Sequence, residues 1–466
     1  MEGYLTRASL AVRERRISAL ELVETSLRRI AAAADLNAVV ALRADEALQD
    51  ARALDDRLSA GAAAGPLVGL PLLVKDIEDA AGLPTTFGSL LHAAAPPAAA
   101  DGLVAGRLRA AGAILVGKTN VPEFAFEGYT DNRRFGSTRN PWAPDWSPGG
   151  SSGGSAAALA AGLALIATAT DVGGSVRIPA SACGLIGLKP TAGRIERDPI
   201  LASPELNNHG PLTWTVADSR LLLDILARPV AGDPGALPEL LPRPTDLPAR
   251  VFATARLGPG PSLPASVERC FGDALAAVED ELGLAVEMVD SGVIFPSGYD
   301  PADWFRIVGA EQAWALGRNV VEGQATELDP TFARHMRRAL AIGIEEYLAA
   351  QRRRLRYARE LDDLLRGATV LLSPTLTVEG WSPEGRLHGS EEPGLPSETF
   401  NTEPANLTGH PAISLPAGRL PNGVPFGLQV IGPRFGEELL LAFAAAWEMA
   451  RPWPPVADGF ALFAIP

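Results

Sequence analysis

The chain has 466 residues, 47% hydrophobic and 21% charged, an ordinary globular composition that leaves ample material for a core. Its formal net charge of −14 argues against nonspecific binding to nucleic acid or to an anionic membrane, since both need basic surface. Two cysteines, Cys183 and Cys270, make no disulfide framework and point to a reducing, cytoplasmic compartment.

In chain order, the first twenty residues carry Arg7, Arg13, Glu14, Arg15 and Arg16 and lack the apolar run of a signal peptide. Ser18-x-x-Glu21 is a capping box opening the amphipathic helix ALELVETSLRRIAA. A second helix is expected over 44–58, a strand over 67–74, a helix over 103–111 and a buried strand over 113–116. Residues 146–170 hold no charge, long enough to cross a bilayer. Their first third is Pro, Gly and Ser, however, and the rest is mostly alanine, so a buried helix over 153–166 is the better reading. A helix over 218–226 follows, then a Pro/Gly/Asp-rich linker over 229–248.

Beyond the linker a strand is expected at 250–253 and a helix over 265–282. Charged helices dominate 304–366, and a strand follows at 370–372. A Gly/Pro/Glu/Ser-rich loop over 377–398 is a candidate gate. Strands at 412–415 and 427–431 and a helix over 437–450 close the chain. The basic runs RERR (13–16) and RRRLR (352–356) fall on helix-like stretches and read as solvated faces. Alternating helix and strand signals through 67–230 indicate an α/β architecture. Length alone suggests about three domains of ~150 residues.

Several motifs compete for the chemistry. GAILVGKT at 112–119 matches the P-loop by letter, but its interior is a continuous β-forming run and Asn120-Val121-Pro122 follows instead of a helix. The five histidines show no metal-ligand spacing and there is no Cys-x-x-Cys, so no metal is expected. His209 and His410 sit in turn-like contexts and read as structural. GGSSG matches the nucleophile-elbow pattern, yet no strand precedes it.

The strongest signal lies between Pro148 and Arg194: PGGSSGGSAAALAAGLALIATATDVGGSVRIPASACGLIGLKPTAGR. Ser151 and Ser152 stand just before a helix, near the positive end of its dipole. Val172-Gly173-Gly174-Ser175 presents successive N–H groups that can cradle an oxyanion. A serine nucleophile still needs a base, and without a suitable histidine that base is a lysine. Lys75, at the end of an apolar strand, Lys118 and Lys189 are all candidates. Desolvation lowers a lysine pKa toward neutrality, and these residues by themselves do not choose among the three.

This stretch resembles the amidase signature family. So do ISALELVE, GLPLLVKD around Lys75, GAILVGKTNVPEFA, FGSTRNPW, HGPLTWTVAD, NLTGHPAISLP and PFGLQVIGP, and the 24-residue spacing from Ser151 to Ser175 fits. The resemblance covers most of the chain and is weakest from about 230 to 370. It implies one large α/β/α domain over 1–466, around a central twisted mixed sheet covered by helices. The catalytic core would be 67–230, and a more variable, substrate-shaping region 230–400. It implies a Ser-cisSer-Lys triad, with Ser175 as nucleophile, Ser151 as bridging serine and Lys75 as base. The N–H groups of Val172, Gly173, Gly174 and Ser175 would form the oxyanion hole, braced by Ser152, Asp171 and Arg177. Where many members carry Gly-Thr-Asp before the nucleophile loop, this chain has Ala169-Thr170-Asp171.

The implied activity is amide hydrolysis through an acyl-enzyme, extending to anilides and carbamates, with esters as side substrates. It needs no cofactor and involves small molecules, in a monomer or homodimer. Phe126, Tyr129, Phe135 and Trp146 precede the signature and are candidate apolar substrate contacts. The alternative is the glutamine-hydrolysing component of a tRNA-dependent amidotransferase.

Overall fold

The computed structural model of the protein describes residues 3–195, 205–228, 235–236, 246–324, 326–387 and 401–466. Most of the expected linker over 229–248 and residues 388–398 of the expected loop lie outside these. The helices follow their local signals. Helix Ala19–Ala32 begins with the full capping box, Ser18 and Glu21 satisfying each other's backbone N–H. Ala44–Ser59, Leu103–Ala110, Val216–Leu226, Ala265–Asp280 and Glu437–Ala450 are the other helices expected from periodicity.

Thirteen strands are described: β1 (Val39–Leu42), β2 (Pro71–Lys75), β3 (Ile114–Thr119), β4 (Ile166–Ala167), β5 (Thr170–Asp171), β6 (Ile186–Lys189), β7 (Asn208–His209), β8 (Leu212–Thr213), β9 (Arg250–Ala253), β10 (Val286–Met288), β11 (Thr369–Pro374), β12 (Ala412–Arg419) and β13 (Pro425–Ile431). A seven-stranded mixed sheet runs β10-β9-β11-β13-β12-β6-β8, and a four-stranded mixed sheet runs β1-β3-β2-β4. The short β5–β7 ladder stands apart. Strands β2, β3, β6, β11 and β13 are buried along their whole length. Continuous apolar runs of this kind are what a strand covered on both faces requires. The fold is therefore a single α/β domain built on mixed sheets, which corrects the three-domain expectation from length.

The uncharged segment resolves into a shorter helix than expected. Gly153–Ala160 is helical and buried on every side. It stops at Ala160, because Gly162 takes φ +61° and Ile166–Ala167 pairs with β2 as strand β4. Small side chains let this helix sit deep in the molecule. A Cβ on Gly154 would come within 2.4 Å of the Asn120 backbone nitrogen. Among the described residues no helix is long and apolar enough to cross a membrane.

The P-loop look-alike forms strand β3, parallel to β2. The arginine run at 352–356 is less solvated than expected: Arg353 pairs with buried Asp303 at 2.5 Å and Arg354 with Glu205 at 2.9 Å.

Candidate active site

Strand β2 delivers Lys75 into the interior, where it is fully buried. Its Nζ lies 2.8 Å from Ser151 Oγ, 2.9 Å from Ser152 Oγ and 2.7 Å from Thr170 Oγ1. An ammonium surrounded by hydroxyls and apolar groups is costly. Burial pushes the Lys75 pKa down to about 7, against the opposing pull of Glu78 and Asp171. A large fraction of neutral amine is thus present at neutral pH.

The two serines sit where the chain turns into helix Gly153–Ala160. The Gly150–Ser151 peptide bond is cis. A Cβ on Gly150 would lie 2.5 Å from the Tyr129 carbonyl oxygen, so only glycine allows this approach. Ser152 occupies the N-cap position, but its hydroxyl caps nothing. It serves Lys75 instead, and accepts the Thr170 N–H at 3.3 Å.

The loop before helix Arg177–Cys183 carries Ser175, half-buried at the wall of a cavity. Among the described residues its hydroxyl has no hydrogen-bond partner, so the Ser151–Ser175 contact is not closed. The Asp171 carboxylate organises the loop. It accepts the Gly174 N–H at 2.7 Å and the Val176 N–H at 3.3 Å. Gly174 therefore drops out of the expected oxyanion hole, because its single N–H proton is already committed. The N–H groups of Val172, Gly173 and Ser175 make no hydrogen bond among the described residues. Burial would raise the Asp171 pKa, but Arg177 outweighs it and holds the carboxyl below its usual range.

Arg177 binds both Asp171 oxygens at 2.9 Å and reaches the Thr402 carbonyl, Gln429 Oε1 and Asn406 Oδ1. Thr402 in turn donates to the Gly173 carbonyl at 2.6 Å, and Trp304 Nε1 to the Val172 carbonyl at 2.9 Å. Sequence reasoning missed Thr170, Trp304, Thr402, Asn406 and Gln429. Asn406 and Gln429 lie in the NLTGHP and FGLQV segments that resemble the family, and Thr170 adjoins Asp171. Trp304 lies in the least diagnostic region and had no signal.

The cavity beside Ser175 is narrow, about 40 Å³. Phe126, Trp304, Ile178 and Val308 form its apolar wall, with Glu127 and Gln312 as polar members. Of the four aromatic candidates only Phe126 reaches it, its ring centroid 5.7 Å from that of Trp304. Tyr129 is buried in a cluster with Ile178, Leu376 and Trp381. Phe135 lies under the Arg134 guanidinium, its carbonyl bound by Asn37. Trp146 packs on the main core beside Gly380. None of the three lines this cavity.

The other two candidate lysines stand apart from Ser151 and Ser152. Lys118 donates to the Glu78 carbonyl and lies 3.5 Å from Asp76 Oδ1. Lys189 donates to the Pro190 carbonyl. Among the described residues neither bonds a serine. His209 is buried in β7 and desolvation depresses its pKa to about 3, while His410 Nε2 lies 3.2 Å from Asp362. Among the described residues no cluster of three His, Cys, Asp or Glu could hold a metal.

Comparison with known proteins places this chain in a family. The amidase model matches residues 21–441. The chain is 35% identical over 476 residues to an acylamidase of Rhodococcus erythropolis, covering 96% of this chain and 95% of that one. It is also 35% identical over 465 residues to the A component of glutamyl-tRNA(Gln) amidotransferase from Synechococcus sp. (strain CC9605), covering 93% of each. Among solved structures, a bacterial aryl acylamidase of the amidase signature enzymes superposes with a TM-score of 0.85 at 30% identity, covering 96% of both chains. The substrate complex of 6-aminohexanoate cyclic dimer hydrolase gives 0.84 at 29% identity, covering 97% of both. The chain belongs to the amidase family.

Proposed function

We propose that this amidase hydrolyses the carbon–nitrogen bond of small amides through an acyl-enzyme on Ser175. The observation that carries the reading is the contact between a buried lysine of lowered pKa and Ser151, next to a serine at the wall of the cavity. Neutral Lys75 takes the Ser151 proton as Ser151 takes that of Ser175. Ser175 Oγ attacks the carbonyl carbon, and the uncommitted N–H groups of Val172, Gly173 and Ser175 stabilise the oxyanion. The C–N bond then breaks, and the proton returns through Ser151 to the leaving nitrogen. Water, deprotonated along the same route, attacks the acyl-enzyme and releases the acid and Ser175. Ser152, Asp171 and Arg177 hold these groups in place.

The apolar cavity wall favours anilides and other aryl amides, with aryl carbamates and esters as further substrates. Glutamine hydrolysis for an amidotransferase fits less well, because among the described residues no arginine or lysine lines the cavity to bind the α-carboxylate. The two free cysteines suit a reducing, cytoplasmic setting. A hydrolysis panel of aliphatic amides, anilides, aryl carbamates and glutamine tests the reading, with Ser175→Ala as control. Turnover of anilides, lost in Ser175→Ala, is expected. Turnover of glutamine alone, or wild-type rates in Ser175→Ala, would overturn it.

A further inference from the structure

One polar side chain at the cavity is not used by this chemistry. Glu127 is nine-tenths buried, lines the cavity with Ser175, and among the described residues its Oε1 has no hydrogen-bond partner. The side chain nearest in charge terms, His335, lies 3.5 Å away through Nε2 but is itself desolvated, with its pKa depressed to about 4, so it offers no positive charge at neutral pH. Arg334 exerts a favourable influence and Asp329 an unfavourable one, and neither bonds Oε1. Asp329 is occupied in capping helix Pro330–Ala339.

The chain goes to some length to aim this residue. Phe124 and Ala125 both adopt positive φ, 50° and 55°, a region non-glycine residues rarely visit. Phe124 is held there by stacking on Phe87 and Phe332, and by its N–H bond to the Phe87 carbonyl. The turn brings Phe126 and Glu127 to the cavity together. An isolated buried carboxyl is unfavourable until a donor or cation satisfies it. The rings of Phe126 and Trp304 add faces that attract a cation.

We propose that Glu127 anchors a cation-selecting subsite, so that the preferred substrates are amides bearing an ammonium group on the part lodged against Phe126 and Trp304. The proposal rests on Ser175 being the reacting residue of this cavity. Burial raises the Glu127 pKa to about 8, so an arriving ammonium would draw the proton off and bind more tightly as pH rises toward that value.

The test compares amides with an aminoalkyl group, on either the acyl or the amine side, with isosteres carrying methyl in place of ammonium. Wild type is expected to favour the ammonium member of at least one pair by about tenfold or more in kcat/KM. Glu127→Gln should bring that ratio close to one, and Glu127→Asp should retain part of it. Equal rates for both members in wild type, or a ratio that survives Glu127→Gln, would overturn the subsite. Calorimetric binding of the same ammonium amides to Ser175→Ala separates this from the catalytic reading. Binding weakened about tenfold by Glu127→Gln, in a protein whose wild type hydrolyses nothing, would support the subsite and refute the hydrolytic role of Ser175. Binding indifferent to Glu127 would refute the subsite alone.

Discussion

Asp171 and Arg177, both fully buried, are joined by two bonds of 2.9 Å, from Nε to Oδ2 and from Nη2 to Oδ1. The same carboxylate receives the Gly174 and Val176 N–H groups, and the same guanidinium reaches Thr402, Asn406 and Gln429. The ion pair thus ties the Ser175 loop to Thr402 and Asn406 and to strand β13. Removing one partner leaves the other charge uncompensated in the interior. Arg177→Met is expected to lower stability by about 3–5 kcal/mol, read from urea denaturation. Arg177→Lys should recover little, because an ammonium cannot bind both carboxylate oxygens in this fork. Near-wild-type midpoints for both variants would refute the bracing role.

Ser175→Ala and Ser151→Ala address the relay. Each is expected to lower kcat by on the order of 10⁴ or more, and the double variant to fall little further, because the two act as a unit. The folding midpoint of Ser175→Ala should stay close to wild type, since its hydroxyl bonds nothing among the described residues. A double variant whose losses multiply would show that the serines act independently.

The lowered pKa of Lys75 has two consequences with pH. Only the neutral amine can accept a proton, so kcat/KM is expected to rise through about pH 7 and level off above it. A flat profile across that range would remove Lys75 as the base. Stability should also rise with pH. Between about 7 and the ordinary lysine value of ~10.4, the unfolded chain holds a proton that the folded chain has released. Lys75→Met is accordingly expected to be inactive yet more stable than wild type at neutral pH, with the difference narrowing as pH approaches ~10. Equal melting temperatures for the two at neutral pH would contradict the burial cost.

Gly174 tests the shape of the loop. Its φ is +132°, and an added Cβ would sit 2.1 Å from Thr402 Oγ1. That hydroxyl is bound to the Gly173 carbonyl and cannot simply swing away. Gly174→Ala is expected to cost at least about 1–3 kcal/mol, the usual cost of an unfavourable backbone, and to lower kcat by displacing the neighbouring N–H groups. Melting temperature and steady-state kinetics check both parts. Unchanged kcat would mean that the loop geometry does not govern the oxyanion.

Trp304 closes one wall of the cavity and holds the Val172 carbonyl through its indole N–H. Trp304→Phe keeps the wall but loses the bond, and Trp304→Ala loses both. The first is expected to lower kcat chiefly, and the second to raise KM for anilides as well. Identical effects of the two substitutions would mean that the wall makes no contribution to binding.

Local chemistry makes much of this protein legible in its sequence. The capping box, the apolar runs and the helical periodicities each name an element whose formation depends mainly on its own residues. The pair of glycine-flanked serines marks the proposed reacting region for a similar reason, since close backbone approach is written into the glycines themselves. The choice of lysine is not local. Lys75, Lys118 and Lys189 are all fully buried, so burial does not distinguish them. Strand register does: Lys118 lies beside Val74 in the β2–β3 ladder, one position out of step with Lys75. Successive side chains point to opposite faces of a sheet, so Lys75 meets the serines while Lys118 meets Asp76 and Glu78. The pairing of residues on the cavity wall escapes the sequence for the same reason. Phe126 and Trp304 are far apart in the chain, and only packing brings them to one wall, while Tyr129, Phe135 and Trp146, nearer the serines in sequence, are absorbed into the core or bound to other loops.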